Sequence, residues 1–297
     1  MLTTRIGAFT VARIEEMLTP GFDPAFLFPD FDAAIYAEEP LLASPAFHDT
    51  ASGKTMSSMQ SWLVRDDRNV IVIDTGCGNG KTREFPAFRR FHMLDLPYLD
   101  RLAEAGVRRE DVTHVINTHL HVDHVGWNTV LAEGRWVPTF PNARYFFGAE
   151  ELAIWLDPAT AARAPETTPV IEDSVRPVVE AGVVETVQAG DTILPGLSFE
   201  AIPGHTLGQL GVRLTSQGAS ALFSGDVFHQ PMQIVRPSWN SRFCEHQDIA
   251  RATRARVLDE NADTGTVIFP SHFGAPHAGT IRRSGSGYRF SPLAMNA

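Results

Sequence analysis

Seven consecutive residues constrain this chain more than any others: Thr118-His119-Leu120-His121-Val122-Asp123-His124. The run before them, Val112-Thr113-His114-Val115-Ile116-Asn117, is short, apolar and β-branched, the pattern of a buried strand. The cluster therefore falls where a strand gives way to a loop, and loops on a rigid scaffold are where ligands and catalysts sit. On an extended segment, side chains at i and i+2 point the same way. His119 and His121 can then face one ion, while the turn that follows directs Asp123 and His124 toward a neighbouring position. Imidazole suits Zn, Fe, Ni and Cu, and a carboxylate beside it is compatible with Zn, Fe or Mn. As plain surface residues the histidines would repel one another on protonation and serve no packing, so metal binding is the better account.

The chain has 297 residues and a formal net charge of −10. That acidic balance excludes nucleic acid and anionic membranes as partners, since binding to either is driven by Lys and Arg. Only Cys77 and Cys244 are present, which excludes a disulfide framework and fits a reducing compartment. Cys77 reads as a small buried thiol. The start, Met-Leu-Thr-Thr-Arg-Ile-Gly-Ala-Phe-Thr, lacks the features of a signal peptide, and no stretch has the length of a membrane span. A cytoplasmic location is the expectation.

In chain order, a first strand is expected from Ile6 to Ile14. Residues 19–60 form an N-terminal wrap or lid, because Pro20, Pro24, Pro29, Pro40 and Pro45 break any long element. Its aromatics, Phe22, Phe26, Phe28, Phe31 and Tyr36, fill a satellite core or line an apolar pocket. Ser61–Val64 and Val70–Ile73 pair as a hairpin that runs into Asp74-Thr75-Gly76-Cys77-Gly78, a tight turn. A helix through Leu99, Leu102 and Ala103 ends near Gly106. A strand at 143–147 leads to a helix at 149–156, and 157–180 is a helical excursion or loop. Strands follow at 183–187 and 197–202, then a hairpin of 210–214 with 220–223. The helix carrying Ala250, Thr253, Arg254, Val257 and Leu258, a strand at 266–269 and a last strand at 287–290 complete the chain, read as a single domain over 1–297.

Four of these apolar strands end in a metal-capable residue: the 119–124 cluster, His205 in Pro-Gly-His-Thr, Asp226 in Ser-Gly-Asp, and His272. Brought together they supply five histidines and two aspartates, enough for two ions with one carboxylate shared. With Asp74 in Asp-Thr-Gly, this ordered set resembles the metallo-β-lactamase superfamily over roughly residues 60–275.

The resemblance implies an α/β fold, a four-layer αβ/βα sandwich of two mixed β-sheets with helices on the outer faces. It implies that His119, His121 and His205 hold one ion, that Asp123, His124 and His272 hold a second, and that Asp226 bridges them. The cofactor is then two divalent ions, with Zn first and Fe, Mn or Co compatible. Zinc lowers the pKa of bound water to about 7, so hydroxide attack on an ester or lactone carbonyl is the implied reaction. Asp123 is the implied catalytic carboxylate, orienting the nucleophile and passing a proton to the leaving group. Asp74 is a candidate support for a ligating histidine. His229 and Trp127 are candidates for the substrate or the support of the ligands, Trp127 equally for packing under the loop.

Within the superfamily, Asp226 and His124 disfavour the zinc β-lactamases, and the acidic balance disfavours the tRNA-processing nucleases. Resemblance is nearest to the lactonase and methyl parathion hydrolase-like branch, whose ending is similar to Gly279-Thr280-Ile281-Arg282-Arg283 and Gly287-Tyr288-Arg289-Phe290. The expected substrate is a small apolar ester or lactone. A phosphotriester or thioester is the alternative, and a non-catalytic metal binder or a di-iron redox enzyme stands behind those. Partners are limited to a small-molecule substrate and a second copy of the chain.

Overall fold

A computed structural model describes residues 3–293. The chain separates into two compact units, one of residues 3–17 and 59–188, the other of 18–58 and 189–293. Each unit carries one large sheet.

The first unit is built on an eight-stranded sheet. Its centre is parallel: Val70–Ile73, His114–Ile116, Arg144–Gly148 and Val184–Val187 lie side by side, with Val72 opposite Val115 and Val115 opposite Tyr145. Parallel strands covered on both faces read as continuous apolar runs, which is why Val-Ile-Val-Ile is buried from Ile71 onward. The expected hairpin forms in antiparallel register, Trp62 opposite Ile73. Its turn is closed by Asp66 Oδ1, which accepts from Arg68 N at 2.8 Å and Asn69 N at 2.7 Å. The expected single strand at 6–14 is instead two strands, Thr3–Ile6 and Phe9–Pro20. Gly7 takes φ +58°, and this turn folds them into an antiparallel pair. A hairpin of Thr129–Ala132 with Arg135–Pro138, not foreseen in the sequence, follows the histidine cluster. The excursion at 157–180 is helical and includes a π-helical turn at Ile171–Val175. Ile14, Leu63, Val72, Val115, Tyr145 and Trp155 share one core with Leu120, Val122 and Val125 of the cluster loop.

The second unit holds a seven-stranded sheet, antiparallel except where Ala219–Gly225 lies parallel to Val267–Pro270. The helix Gln247–Asn261 buries Ala250, Thr253, Arg254, Val257, Leu258 and Asn261, one face at helical spacing. Ile202, Leu222, Ile268, Val257 and Phe290 share its core. Four of the five wrap aromatics belong to a satellite core: Phe28 is buried with Leu27, Ile35, Leu42, Met232 and Trp239, and Phe22, Phe31 and Tyr36 pack against it, whereas Phe26 is exposed. The sheets are mixed and helices accompany both, which is the expected α/β class with two sheets. Among the described residues, no helix is long and apolar enough to cross a membrane.

Candidate metal centre

In the first unit, the strand His114–Ile116 delivers the chain to Asn117 and Thr118, whose side chains set the loop beyond. Asn117 Nδ2 donates to the His124 carbonyl at 2.6 Å, folding the cluster back on its own start. Leu120 and Val122 point into the core and alternate with the polar residues, so apolar anchors hold the loop from below. The His119 ring centroid lies 4.7 Å from that of His121 and 4.0 Å from that of His124. His119 and His124 are buried, and His121 and Asp123 are half-buried.

Asp74 stands at the end of the adjacent strand with φ +54°, a conformation in which Asp is enriched. It accepts from Thr118 N at 2.8 Å, from Thr118 Oγ1 at 3.0 and 3.1 Å, and from His124 Nδ1 at 2.9 Å. A carboxylate partner places the imidazole proton on Nδ1 and leaves Nε2 with its lone pair for a metal.

Glu151 was not marked by the sequence as a site residue. Its Oε1 accepts from Leu120 N at 3.0 Å and from Trp155 Nε1 at 2.7 Å, and Trp155 sets its edge against the His121 ring at 5.5 Å. The signal available was the i, i+4 spacing of a carboxylate and an indole in the helix Ala149–Leu156. Trp127 packs under the loop of the cluster. It is buried in the core, stacked on Tyr98 at 4.9 Å, with Nε1 donating to Glu16 at 2.6 Å.

In the second unit, three strand ends present His205, Asp226 and His272. Gly204 takes φ +127°, and an added Cβ there would lie 2.3 Å from Ala250 N, so only glycine permits this approach to the helix start. Gln209 couples two of the ends: Nε2 donates to the Ile202 carbonyl at 3.1 Å and Oε1 accepts from Asp226 N at 3.3 Å. Arg254, fully buried, donates to the carbonyls of Val227 at 2.9 Å and Pro237 at 2.8 Å, holding the chain just after Asp226. Burial pushes its guanidinium down to about 10.

Asp226 lies among imidazole nitrogens: His272 Nε2 at 3.0 Å, His205 Nε2 at 3.3 Å and His229 Nε2 at 3.3 Å. The geometry thus places His229 directly on the Asp226 carboxylate, and His205, Asp226 and His229 each offer one ligand atom within 4.8 Å of the others. Burial holds the His229 imidazole below its ordinary value.

The donor set fits a cation. His272 Nδ1 lies 3.0 Å from the Ser58 carbonyl, which can only accept, so Nδ1 carries the proton. Its Nε2 faces the Asp226 carboxylate at 3.0 Å. Imidazole nitrogens and a carboxylate turned on one another at that distance are a donor set that suits a divalent ion.

Histidines outside the motifs have ordinary partners: Tyr36 beside His48, Thr113 beside His114, and the Phe273 carbonyl beside His277. Both cysteines are buried and free, and burial pushes the Cys77 thiol up, so it is no nucleophile.

Comparison with known proteins gives three findings. The acyl-coenzyme A thioesterase MBLAC2 of Homo sapiens is 28% identical over 238 residues, spanning 76% of this chain and 77% of that protein. Two solved structures share the fold: the hydrolase AbOPH of the beta lactamase superfamily, with TM-score 0.83, 24% identity and coverage of 100% and 98%, and AidC, a dizinc quorum-quenching lactonase, with TM-score 0.82, 20% identity and coverage of 99% and 98%. Residues 58–272 match the model of the Metallo-beta-lactamase superfamily, and the chain belongs to that superfamily.

Proposed function

We propose that this protein is a metal-dependent hydrolase that cleaves small, apolar esters or lactones. His119, His121 and His205 would hold one divalent ion, Asp123, His124 and His272 would hold a second, and both ions would share Asp226. Zn suits the imidazole and carboxylate donors best, with Fe, Mn and Co also compatible. The observation that carries the reading is the Asp226 carboxylate set against three imidazole nitrogens at 3.0–3.3 Å. Likeness in fold to a dizinc lactonase supports the choice of bond.

When bound, the ions would supply an activated water and polarise the scissile carbonyl. The chain's own residues do the rest. Asp74 fixes the His124 tautomer, and Glu151 fixes the backbone between His119 and His121. Asp123, half-buried where His119 and His124 are buried, takes the proton of the attacking water on its carboxylate and returns it to the leaving oxygen. His229, with Nε2 on Asp226, is placed to donate to the carbonyl oxygen of a substrate or to support Asp226.

The second reading is a thioesterase, favoured by the likeness to MBLAC2 over three quarters of the chain. Turnover of lactones, aryl esters, acyl thioesters and phosphotriesters, measured on protein of known metal content, decides between them. Lactone or ester turnover that follows metal content is the expected result. A thioester preference would select the second reading, and no turnover by protein holding two ions would refute both.

A further inference from the structure

We infer that Glu16 is a positioning residue for His124, acting as a built-in hydrogen-bond acceptor that locks the turn carrying Asp74 against the loop carrying the histidines. The inference rests on the metal-binding role proposed above.

Asp74, Gly76 and Gly78 take φ of +54°, +55° and +77°. Left-handed residues alternating along a turn make backbone N–H groups converge into a concavity that binds anions. Here the acceptor is a carboxyl group from the strand Phe9–Pro20. Glu16 Oε2 accepts from Cys77 N at 2.6 Å, and Oε1 accepts from Gly78 N at 2.9 Å and Trp127 Nε1 at 2.6 Å. The fit leaves no slack, since a Cβ on Gly76 would lie 2.3 Å from Oε2. Arg101 holds the backbone beneath, its Nη1 donating to the carbonyls of Glu15 and Glu16 at 2.8 Å each.

Between the two segments runs a ladder of backbone bonds: Thr75 N to the His124 carbonyl, Trp127 N to the Thr75 carbonyl and Gly126 N to the Gly76 carbonyl, each 2.7 Å. Asp74–His124 closes one end of that ladder. Glu16 closes the other, joining Cys77 and Gly78 to Trp127. The buried Glu16 carboxyl group has its hydrogen-bonding need met by those three donors. Glu16→Gln keeps the shape but turns an NH2 toward at least one N–H in either orientation of the amide. The lower end of the ladder opens, and His124 loses its fixed direction.

The test is titration of metal-free protein with Zn2+ alone, reading stoichiometry and the affinity of each ion by competition with a chromophoric chelator. Val178→Ala, a core truncation elsewhere in the same unit, serves as the control for lost stability. Wild type is expected to bind two ions. Glu16→Gln is expected to lose about ten-fold or more in affinity for one of them, in the range seen when the support of a ligand is removed. Val178→Ala, with a matched fall in Tm, is expected to keep both. Equal affinities for both ions in Glu16→Gln and wild type would overturn the inference and leave the metal reading standing. No binding by wild type would overturn both. Should Glu16→Gln not fold, Trp127→Phe, which removes one arm of the clamp, is read instead, and an unchanged affinity for both ions there overturns the inference.

Discussion

His124 Nδ1 lies 2.9 Å from Asp74 Oδ2, a bond between residues fifty positions apart that sets both the direction and the tautomer of the imidazole. The same carboxylate holds Thr118 N, at the mouth of the cluster, at 2.8 Å. Asp74→Asn exchanges an acceptor for a donor at one of these contacts. Its affinity for the weaker-bound ion should fall about 10- to 100-fold, with the fold retained. Calorimetric titration of the metal-free variant checks this, and unchanged binding would remove Asp74 from the support of the site.

Asp226→Asn should be the more damaging change. As the proposed shared ligand it would serve both ions, and an amide offers one neutral oxygen in place of a charged pair. We expect metal content to fall below two ions per chain and kcat/KM to drop more than about 100-fold, or about 3 kcal/mol of transition-state stabilisation. Metal analysis and kinetics on the same preparation measure both, and near-normal turnover by the variant would refute a bridging role.

Removal of metal should abolish turnover and lower Tm together. An ion present at a thousand times its Kd stabilises the folded state by about 4 kcal/mol. Dialysis against a chelator should therefore lower Tm by several degrees, and added Zn2+ should restore both. Activity that survives complete chelation contradicts the proposed chemistry.

Lys81 gives a pH prediction independent of the metals. Its Nζ lies 2.8 Å from Thr129 Oγ1, 3.0 Å from the Asp173 carbonyl and 3.7 Å from the centre of the Trp136 ring. Burial pushes its ammonium down to about 7, with Asp173 raising it and Arg83 lowering it further. The unfolded chain holds this proton to about 10.5, so between those values the unfolded state binds more protons and stability rises with pH. The contribution is complete above about 10.5 and is lost as pH falls through about 7. At about 1.4 kcal/mol per unit, it amounts to a few kcal/mol. Urea midpoints should climb from about pH 7 to pH 9.5 in wild type and climb less in Lys81→Met. Parallel curves for the two proteins would exclude Lys81 as the source.

Gly126 tests how tightly the two segments approach. A Cβ there would lie 1.8 Å from the Cys77 carbonyl carbon. Backbone on both sides cannot yield, so Gly126→Ala should cost more than about 4 kcal/mol or prevent folding. Gly287→Ala, whose added carbon meets nothing nearer than 3.9 Å, should change stability little. Thermal melts of the two variants make the comparison, and a mild effect at Gly126 would show that the ladder relaxes.

The residues legible in the sequence were those with local signatures. His119, His121, Asp123 and His124 stand in one motif, and His205, Asp226 and His272 each end an apolar strand. The hairpin of 61–64 with 70–73 and the helix at 149–156 announced themselves by composition and period. The break at Gly7 was missed because glycine within an apolar run reads equally as strand and as turn. Glu16, Glu151, Arg254 and the Lys81–Asp173 pair were missed because each acts on partners distant in the chain, or on backbone groups that carry no residue code.

The sequence by itself determined the donor set and the class of fold. Ligand chemistry resides in side-chain type, and the ordered motifs that carry it also carry the resemblance that implies the α/β class. Only the tertiary structure decided that Trp127 packs in the core, that His229 lies on Asp226, and that Glu16 seats itself in the turn after Asp74. Those outcomes depend on which strand ends and turns meet in space, and on where a buried polar group finds its hydrogen bonds, and neither is encoded at any single position.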